Sequence, residues 1–181
     1  MKILIVGNGA RESALALKLK DDSRISKLYF AKGTVTTAEL GQNVYDESVE
    51  GLRDFAIKER IDLTIVGPEA PLVDGIVDEF KKHGLKIFGP EKRAAELEGS
   101  KAFSKKFMQT NNIKTAKAVV FDAYHDAIEY VRNQKFPIVI KASGLAGGKG
   151  VVIADNLTEA ESTIHKFMFE RIYGDAGIQL V

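Results

Sequence analysis

The sequence predicts an α/β protein: a doubly wound, parallel-sheet domain first, then a small α+β lobe. Three observations carry this. Short apolar runs alternate with amphipathic stretches through roughly the first ninety residues, and glycine-bearing turns follow the apolar runs. Past residue 100, two apolar runs are joined by a glycine loop with no helix between them.

The runs 3–6, Lys27–Ala31, Leu63–Val66 and 86–88 are brief and bounded by Gly, Pro or charge, as expected of strands buried on both faces. Between them Leu15 and Leu19, then Leu52, Phe55 and Ala56, then Val73, Ile76, Val77 and Phe80 recur at helical spacing. A βαβα order implies a parallel sheet with helices on both faces and ligands at the carboxyl ends of its strands. Three turns fall there: Gly7-Asn8-Gly9, Gly67-Pro68-Glu69 and Gly89-Pro90-Glu91. The second half is expected to hold helices over 100–110, 123–133 and 158–171, with Phe103, Phe107 and Met108 on one side of the first. Strands are expected over 118–121, 137–141 and 150–154, with another beginning at 178. A direct connection from 141 to 150 is a hairpin, so this second sheet is at least partly antiparallel. The expected division is a Rossmann-like domain over 1–98, a linker helix over 99–116 and the small lobe over 117–181.

Composition excludes several classes. Lys and Arg number 26 against 25 Asp and Glu, a net charge of +1, and no long like-charge run suits a nucleic-acid surface. The absence of Cys rules out disulfides and thiolate metal sites. His83, His125 and His165 share no ligand spacing, so they make no metal site. The N-terminus runs at once into an apolar strand and a glycine turn, unlike a signal peptide, and no stretch reaches membrane-spanning length. A soluble cytoplasmic protein is expected, with neither membrane nor nucleic acid as partner.

Two loops are candidates for phosphate. Gly7-Asn8-Gly9-Ala10-Arg11-Glu12 follows a strand and opens a helix, where backbone N–H groups favour an anion. As a dinucleotide fingerprint it fails twice. Glu12 stands where a third glycine belongs, and the second strand runs into Lys32-Gly33 with no acidic residue for a ribose. A nicotinamide enzyme is therefore disfavoured; anion site and plain tight turn both stay open. Gly144-Leu145-Ala146-Gly147-Gly148-Lys149-Gly150 is sharper. It is not a Walker loop, because three residues rather than four separate Gly144 from Gly148 and Gly150 replaces the hydroxyl. Flanked by strands on both sides, it suits a flexible hairpin that folds over phosphates, with Lys149 as a cation. Lys141 ends an apolar strand and must either snorkel to water or face an anion. Lys101 alone passes as a surface residue at a helix start, and Glu69 as a carboxylate near a helix N-terminus.

In this order the motifs resemble the phosphoribosylamine–glycine ligase family of the ATP-grasp superfamily. The matching segments include Ile5-Val6-Gly7-Asn8-Gly9, Gly67-Pro68-Glu69-Ala70-Pro71-Leu72, Leu97-Glu98-Gly99-Ser100-Lys101, Ile138-Val139-Ile140-Lys141-Ala142 running into the glycine loop, and Tyr173-Gly174-Asp175-Ala176-Gly177. The resemblance makes the first domain the pre-ATP-grasp domain and the second the ATP-grasp small lobe. It implies an ADP-forming ligase of purine biosynthesis that joins glycine to 5-phosphoribosylamine through glycyl phosphate. It also implies residue roles. Lys101, Lys141, Gly144, Leu145, Ala146, Gly147, Gly148, Lys149, Gly150 and Val151 would bind ATP. Gly9, Ala10, Arg11, Glu12, Pro68, Glu69, Ala70 and Pro71 would bind phosphoribosylamine. Mg2+ or Mn2+ would be held by residues beyond this chain. Lys141 is expected to matter more to nucleotide than Lys101.

The chain departs from the family pattern at Ala10 and Ser13, and at Lys32-Gly33-Thr34-Val35-Thr36-Thr37, where the family's turn chemistry is lost. It stops at Ile178-Gln179-Leu180-Val181, in an apolar stretch, while the family continues. The chain is thus expected to be an N-terminal portion, inactive alone, with an unpaired sheet edge. The rival reading is a non-catalytic nucleotide- or phosphoribosyl-binding remnant.

Overall fold

The computed structural model describes residues 1–181 and divides into two compact units, Met1–Ala95 and Glu96–Val181. In the first unit five strands form one parallel sheet: β1 (Lys2–Val6), β2 (Lys27–Ala31), β3 (Gln42–Val44), β4 (Leu63–Val66) and β5 (Ile87–Phe88), in the order β3-β2-β1-β4-β5. Helices α1 (Ala10–Leu19), α2 (Val35–Ala38), α3 (Val49–Glu59), α4 (Glu69–Asp74) and α5 (Ile76–Lys82) connect them. Helix α6 (Lys92–Gly99) carries the chain across the division between the units.

The apolar strands are explained by two cores, one on each face. Successive residues point to opposite sides of a strand. Ile3 and Ile5 therefore join Leu28, Phe30 and Ala16 on one face. Leu4 and Val6 join Tyr29, Ala31, Leu52, Ala56, Val77 and Phe80 on the other. Tyr29 keeps its hydroxyl satisfied at the margin of its core, donating to Glu59 Oε2 at 2.9 Å, while its ring meets Phe55 edge-on. Helix α3 starts where Ser48 Oγ accepts from Gly51 N and stops where Arg60 turns left-handed, at φ 55°.

The strand order reverses between β1 and β4. The chain leaves β1 toward β2 and β3, then returns to build β4 and β5 on the other side. This topological switch point is the position at which doubly wound sheets bind ligands. The turns after β1 and β4 lie side by side there, tied by Gly67 N donating to Val6 O at 3.0 Å.

The second unit holds α7 (Lys101–Thr110), α8 (Tyr124–Arg132), an antiparallel pair β6 (Ile138–Lys141) and β7 (Val151–Ala154), and α9 (Leu157–Ile164). Ile140, Ala142, Ala154, Ile128, Val131, Ile164 and Phe167 form its core. The other sheet face leaves Val139, Val151 and Ile153 exposed.

Several expectations change. The stretch 118–121 is not a strand; only Phe121 bridges, to Leu180. The helix expected over 158–171 is α only to Ile164 and continues as a π-turn over His165–Phe169. β3 and α6 were not anticipated. The expected unpaired edge at the C-terminus is also absent. Lys141 and Val181 exchange two backbone hydrogen bonds of 2.9 Å, and Leu180 bridges both Phe121 and Ala142. The backbone of 179–181 is thus paired on both sides.

Candidate functional site

In the second unit, the sequence Ser100-Lys101-Ala102 is placed by a buried serine that sequence reasoning missed. Ser143 accepts from Ala102 N through its Oγ at 3.1 Å, and its carbonyl accepts from Lys101 N at 2.8 Å. Ser100 Oγ accepts from Phe103 N. The first turn of α7, whose N–H groups would otherwise be orphaned, is therefore docked onto the residue preceding the glycine loop. A serine between Lys141-Ala142 and the loop was the available signal.

Docking fixes Lys101 as well. Its ammonium donates to the Gly144 carbonyl at 3.0 Å, so it is not the loose surface group its sequence position suggested. Burial holds its pKa below the usual lysine value; Glu98 opposes the shift and the neighbouring Lys141 charge adds to it. None of Lys101, Lys141 and Lys149 belongs to an ion pair.

The four glycines of the loop divide into two kinds. At the base, space is lacking: a Cβ on Gly144 would lie 2.6 Å from Ala176 Cα, and one on Gly150 would lie 2.6 Å from Ala146 Cβ. At the tip, conformation decides, with Gly147 and Gly148 at φ 56° and 77° and nothing within 4 Å of a Cβ added at either. The base is closed by Ala142 N donating to Gly150 O at 2.8 Å and Gly144 N to Ala176 O at 3.0 Å. A tight base under an open tip, with three ammoniums that have no carboxylate partner, is an arrangement whose chemistry suits an anion.

In the first unit, Glu12 answers the missing third glycine. Only 2% exposed, its carboxylate reaches back so that Oε2 accepts from Gly9 N at 2.5 Å, giving the backbone at the start of α1 a side-chain partner. It fills the space above Gly7 and Gly67, and Oε1 is buried without a partner. Arg11 meets Glu69 at 3.4 Å across the two turns, both largely exposed.

A cleft of about 790 Å³ opens beside these turns. Pro68, Ala70 and Pro71 line it, together with Gly7; Gly9, Ala10, Arg11, Glu12 and Glu69 do not. Its wall also includes Lys32 and Glu47, paired at 2.8 Å, which sequence reasoning did not select. The turn after β2 is rebuilt rather than lost. Lys32 adopts φ 56°, Thr34 caps α2, and buried Thr37 donates to Asn43 Oδ1 at 2.8 Å while Asn43 Nδ2 donates to Thr34 O at 2.9 Å. A threonine–asparagine net thus does the work of the expected turn residues.

No group of three or more His, Asp or Glu side chains converges to hold a metal ion. No helix is long and apolar enough to cross a membrane.

Comparison with known proteins matches the phosphoribosylglycinamide synthetase N domain over residues 1–98 and the ATP-grasp (A) domain of the same synthetase over 99–181. The phosphoribosylamine–glycine ligase of Clostridium acetobutylicum is 51% identical, over 100% of this chain and 44% of the relative. The crystal structure of the same ligase from Thermotoga maritima superposes with a TM-score of 0.74 at 27% identity, over 99% of this chain and 42% of that one. The biotin carboxylase domain of Hydrogenobacter thermophilus 2-oxoglutarate carboxylase, a complex with MgADP, ADP and bicarbonate, shares the fold at TM-score 0.77 and 17% identity, over 99% and 43% of the two chains. The chain spans less than half the length of these proteins.

Proposed function

The chain belongs to the phosphoribosylglycinamide synthetase family, and on that footing we propose that it supplies the phosphate-gripping lobe and the amine-substrate cleft of an ADP-forming ligase joining glycine to 5-phosphoribosylamine. The observation that carries the reading is the set of ammoniums around the glycine loop that have no carboxylate partner. Two stand at its base, one of them with its pKa held low, and the third rides on the loop itself.

In the proposed reaction the γ-phosphoryl group of ATP passes to a glycine carboxylate oxygen, and ADP leaves. The amine of phosphoribosylamine then attacks the acyl carbon, the phosphate departs with the bonding pair, and the amine loses a proton. Lys101 and Lys141 offset phosphate charge, while the glycine loop offers backbone N–H groups and excludes water as it closes. Phosphoryl transfer is mostly positioning and charge neutralisation, which suits this equipment. The ATP fits the residues present; a magnesium site does not, since no acidic cluster converges, and no step here runs through a metal. The cleft at the β1/β4 switch point is the proposed phosphoribosylamine side, with Pro68, Ala70 and Pro71 in its wall.

Calorimetry with a non-hydrolysable ATP analogue tests the reading. Lys101→Ala should weaken binding at least as much as Lys141→Ala, each by about tenfold, roughly what a charge-assisted hydrogen bond contributes. This reverses the order expected from sequence, because Lys101 is anchored at Gly144 rather than free to retreat. The pH dependence carries a second signature. A bound phosphate favours the charged ammonium, so it raises the depressed pKa of Lys101 and binding takes up protons. Affinity should fall as pH rises through that depressed value, and the fall should flatten in Lys101→Ala. For stability the sign is opposite. Unfolded Lys101 binds more protons than folded, so the penalty is present at neutral pH and relieved as pH climbs toward 10.5. Wild-type binding that ignores both lysines would remove the proposal.

A further inference from the structure

Both legs of the glycine loop are held by one short stretch, residues 173–177, and the two attachments differ in kind. The outgoing leg is fixed by backbone: Gly144 N donates to Ala176 O, with Gly144 Cα pressed against Ala176. The returning leg is fixed by a side chain. Tyr173 Oη donates to the Lys149 carbonyl at 2.7 Å, across 24 residues of sequence. Beyond these, Lys149 N donates to Ala146 O within the loop at 2.9 Å, and a Cβ added at Gly147 or Gly148 would meet nothing within 4 Å.

Tyr173 is itself well placed to act as an anchor. Its ring stands edge-on against Phe167 at 5.1 Å, and Phe167 is 2% exposed in the core of the unit. The backbone around it is tied by Gly174 N donating to Arg171 O and Ala176 N to Tyr173 O. The ring thus stays put whether or not the hydroxyl is present. The Lys149 carbonyl is exposed, so losing its partner exposes it to water rather than stranding it. The bond therefore has little to do with holding the fold together. Its consequence is positional, because it selects where the Lys149 leg, and with it the Lys149 ammonium, rests before any anion arrives.

We infer that Tyr173 is a positioning residue for the glycine loop, its hydroxyl tethering the Lys149 leg while its half-buried ring stays packed against the core. The tether narrows the resting positions of the loop and so lowers the ordering entropy that closure over phosphates requires. The link to nucleotide rests on the ligase reading; the tether itself does not.

Tyr173→Phe removes only the hydroxyl and keeps the ring on Phe167. In 15N relaxation of the full 181-residue chain, the heteronuclear NOE of Gly147, Gly148 and Lys149 should fall in the variant. The Lys149 amide should exchange with solvent at least about threefold faster, as its bond to Ala146 opens more often. Amides of Ile140 and Val152 in β6 and β7 should be unchanged, and so should the melting temperature. An unaltered loop would overturn the inference, and so would uniform loosening from β6 through β7, which would mark a merely structural role. Titration with a magnesium complex of a non-hydrolysable ATP analogue supplies the second arm, with affinity expected to drop about three- to tenfold in the variant. If the wild-type chain binds no nucleotide, the ligase reading falls and the relaxation data alone decide the tether. If both proteins bind equally well, the tether does no positioning for the anion and the inference is overturned.

Discussion

Gly144→Ala is expected to destabilise the second unit by about 2–4 kcal/mol and to abolish nucleotide binding there, whereas Gly147→Ala, three residues on, should cost about 1 kcal/mol. The contrast follows from what each new methyl meets. At Gly144 it lies 2.6 Å from Ala176 Cα and 2.8 Å from Ala176 Cβ, atoms fixed by the backbone and unable to rotate away. Relief requires parting the loop from residues 174–177, which breaks the bond from Gly144 N to Ala176 O and shifts the carbonyl that holds Lys101. Overpacking of about 1–3 kcal/mol and a lost hydrogen bond of about 1 kcal/mol make up the estimate. In a unit of this size that lowers the melting midpoint by at least about 8 °C. At Gly147 the methyl enters open space and only the left-handed backbone, φ 56°, resists it. Thermal melts of the two variants decide the matter. Equal losses would mean that the base of the loop is not the rigid point described here.

The parts of this molecule that were legible in its sequence are those where one period dominates. β1 and β2 are buried on both faces and β4 is buried on one and half-buried on the other, so their apolar runs stand out whatever their neighbours do. β3 was missed because Gln42-Asn43-Val44 is a short, polar edge strand, and its Asn43 serves the turn after β2 rather than a core. The stretch 118–121 carries strand-forming residues, Val119 and Val120, yet pairs only at Phe121, so propensity there has no ladder to join. Among site residues, the glycine loop was visible as composition. Ser143 was not, because a buried serine gains its meaning from α7, some forty positions earlier in the chain. Glu12 was visible only as a departure from a fingerprint. That its carboxylate would fill the space above two glycines depends on β1 and β4 being neighbours, which pairing decides and local pattern does not.

That packing of Glu12 makes a second large effect, and one with a diagnostic form. Gly67→Ala alone should cost about 2–4 kcal/mol, because its methyl would sit 1.7 Å from Glu12 Oε1 and the three nearest atoms all belong to Glu12. The carboxylate must leave, which uncaps Gly9 N and opens the first turn of α1. Glu12→Ala alone should cost about 1–2 kcal/mol, the usual loss on removing a cap, tempered because Oε1 was buried without a partner. The double variant should cost little more than Glu12→Ala, since the new methyl then enters the space the carboxylate vacated. The backbone offers no objection, Gly67 being outside the left-handed region, unlike Gly7 at φ 115°. Urea unfolding of the four proteins would give a coupling energy of at least about 1.5 kcal/mol. The parallel cycle with Gly7→Ala should show much weaker rescue, because there Pro68 Cδ at 2.7 Å and the positive φ both persist when Glu12 is gone. Strict additivity between Gly67→Ala and Glu12→Ala would show that the carboxylate is not what fills the switch point.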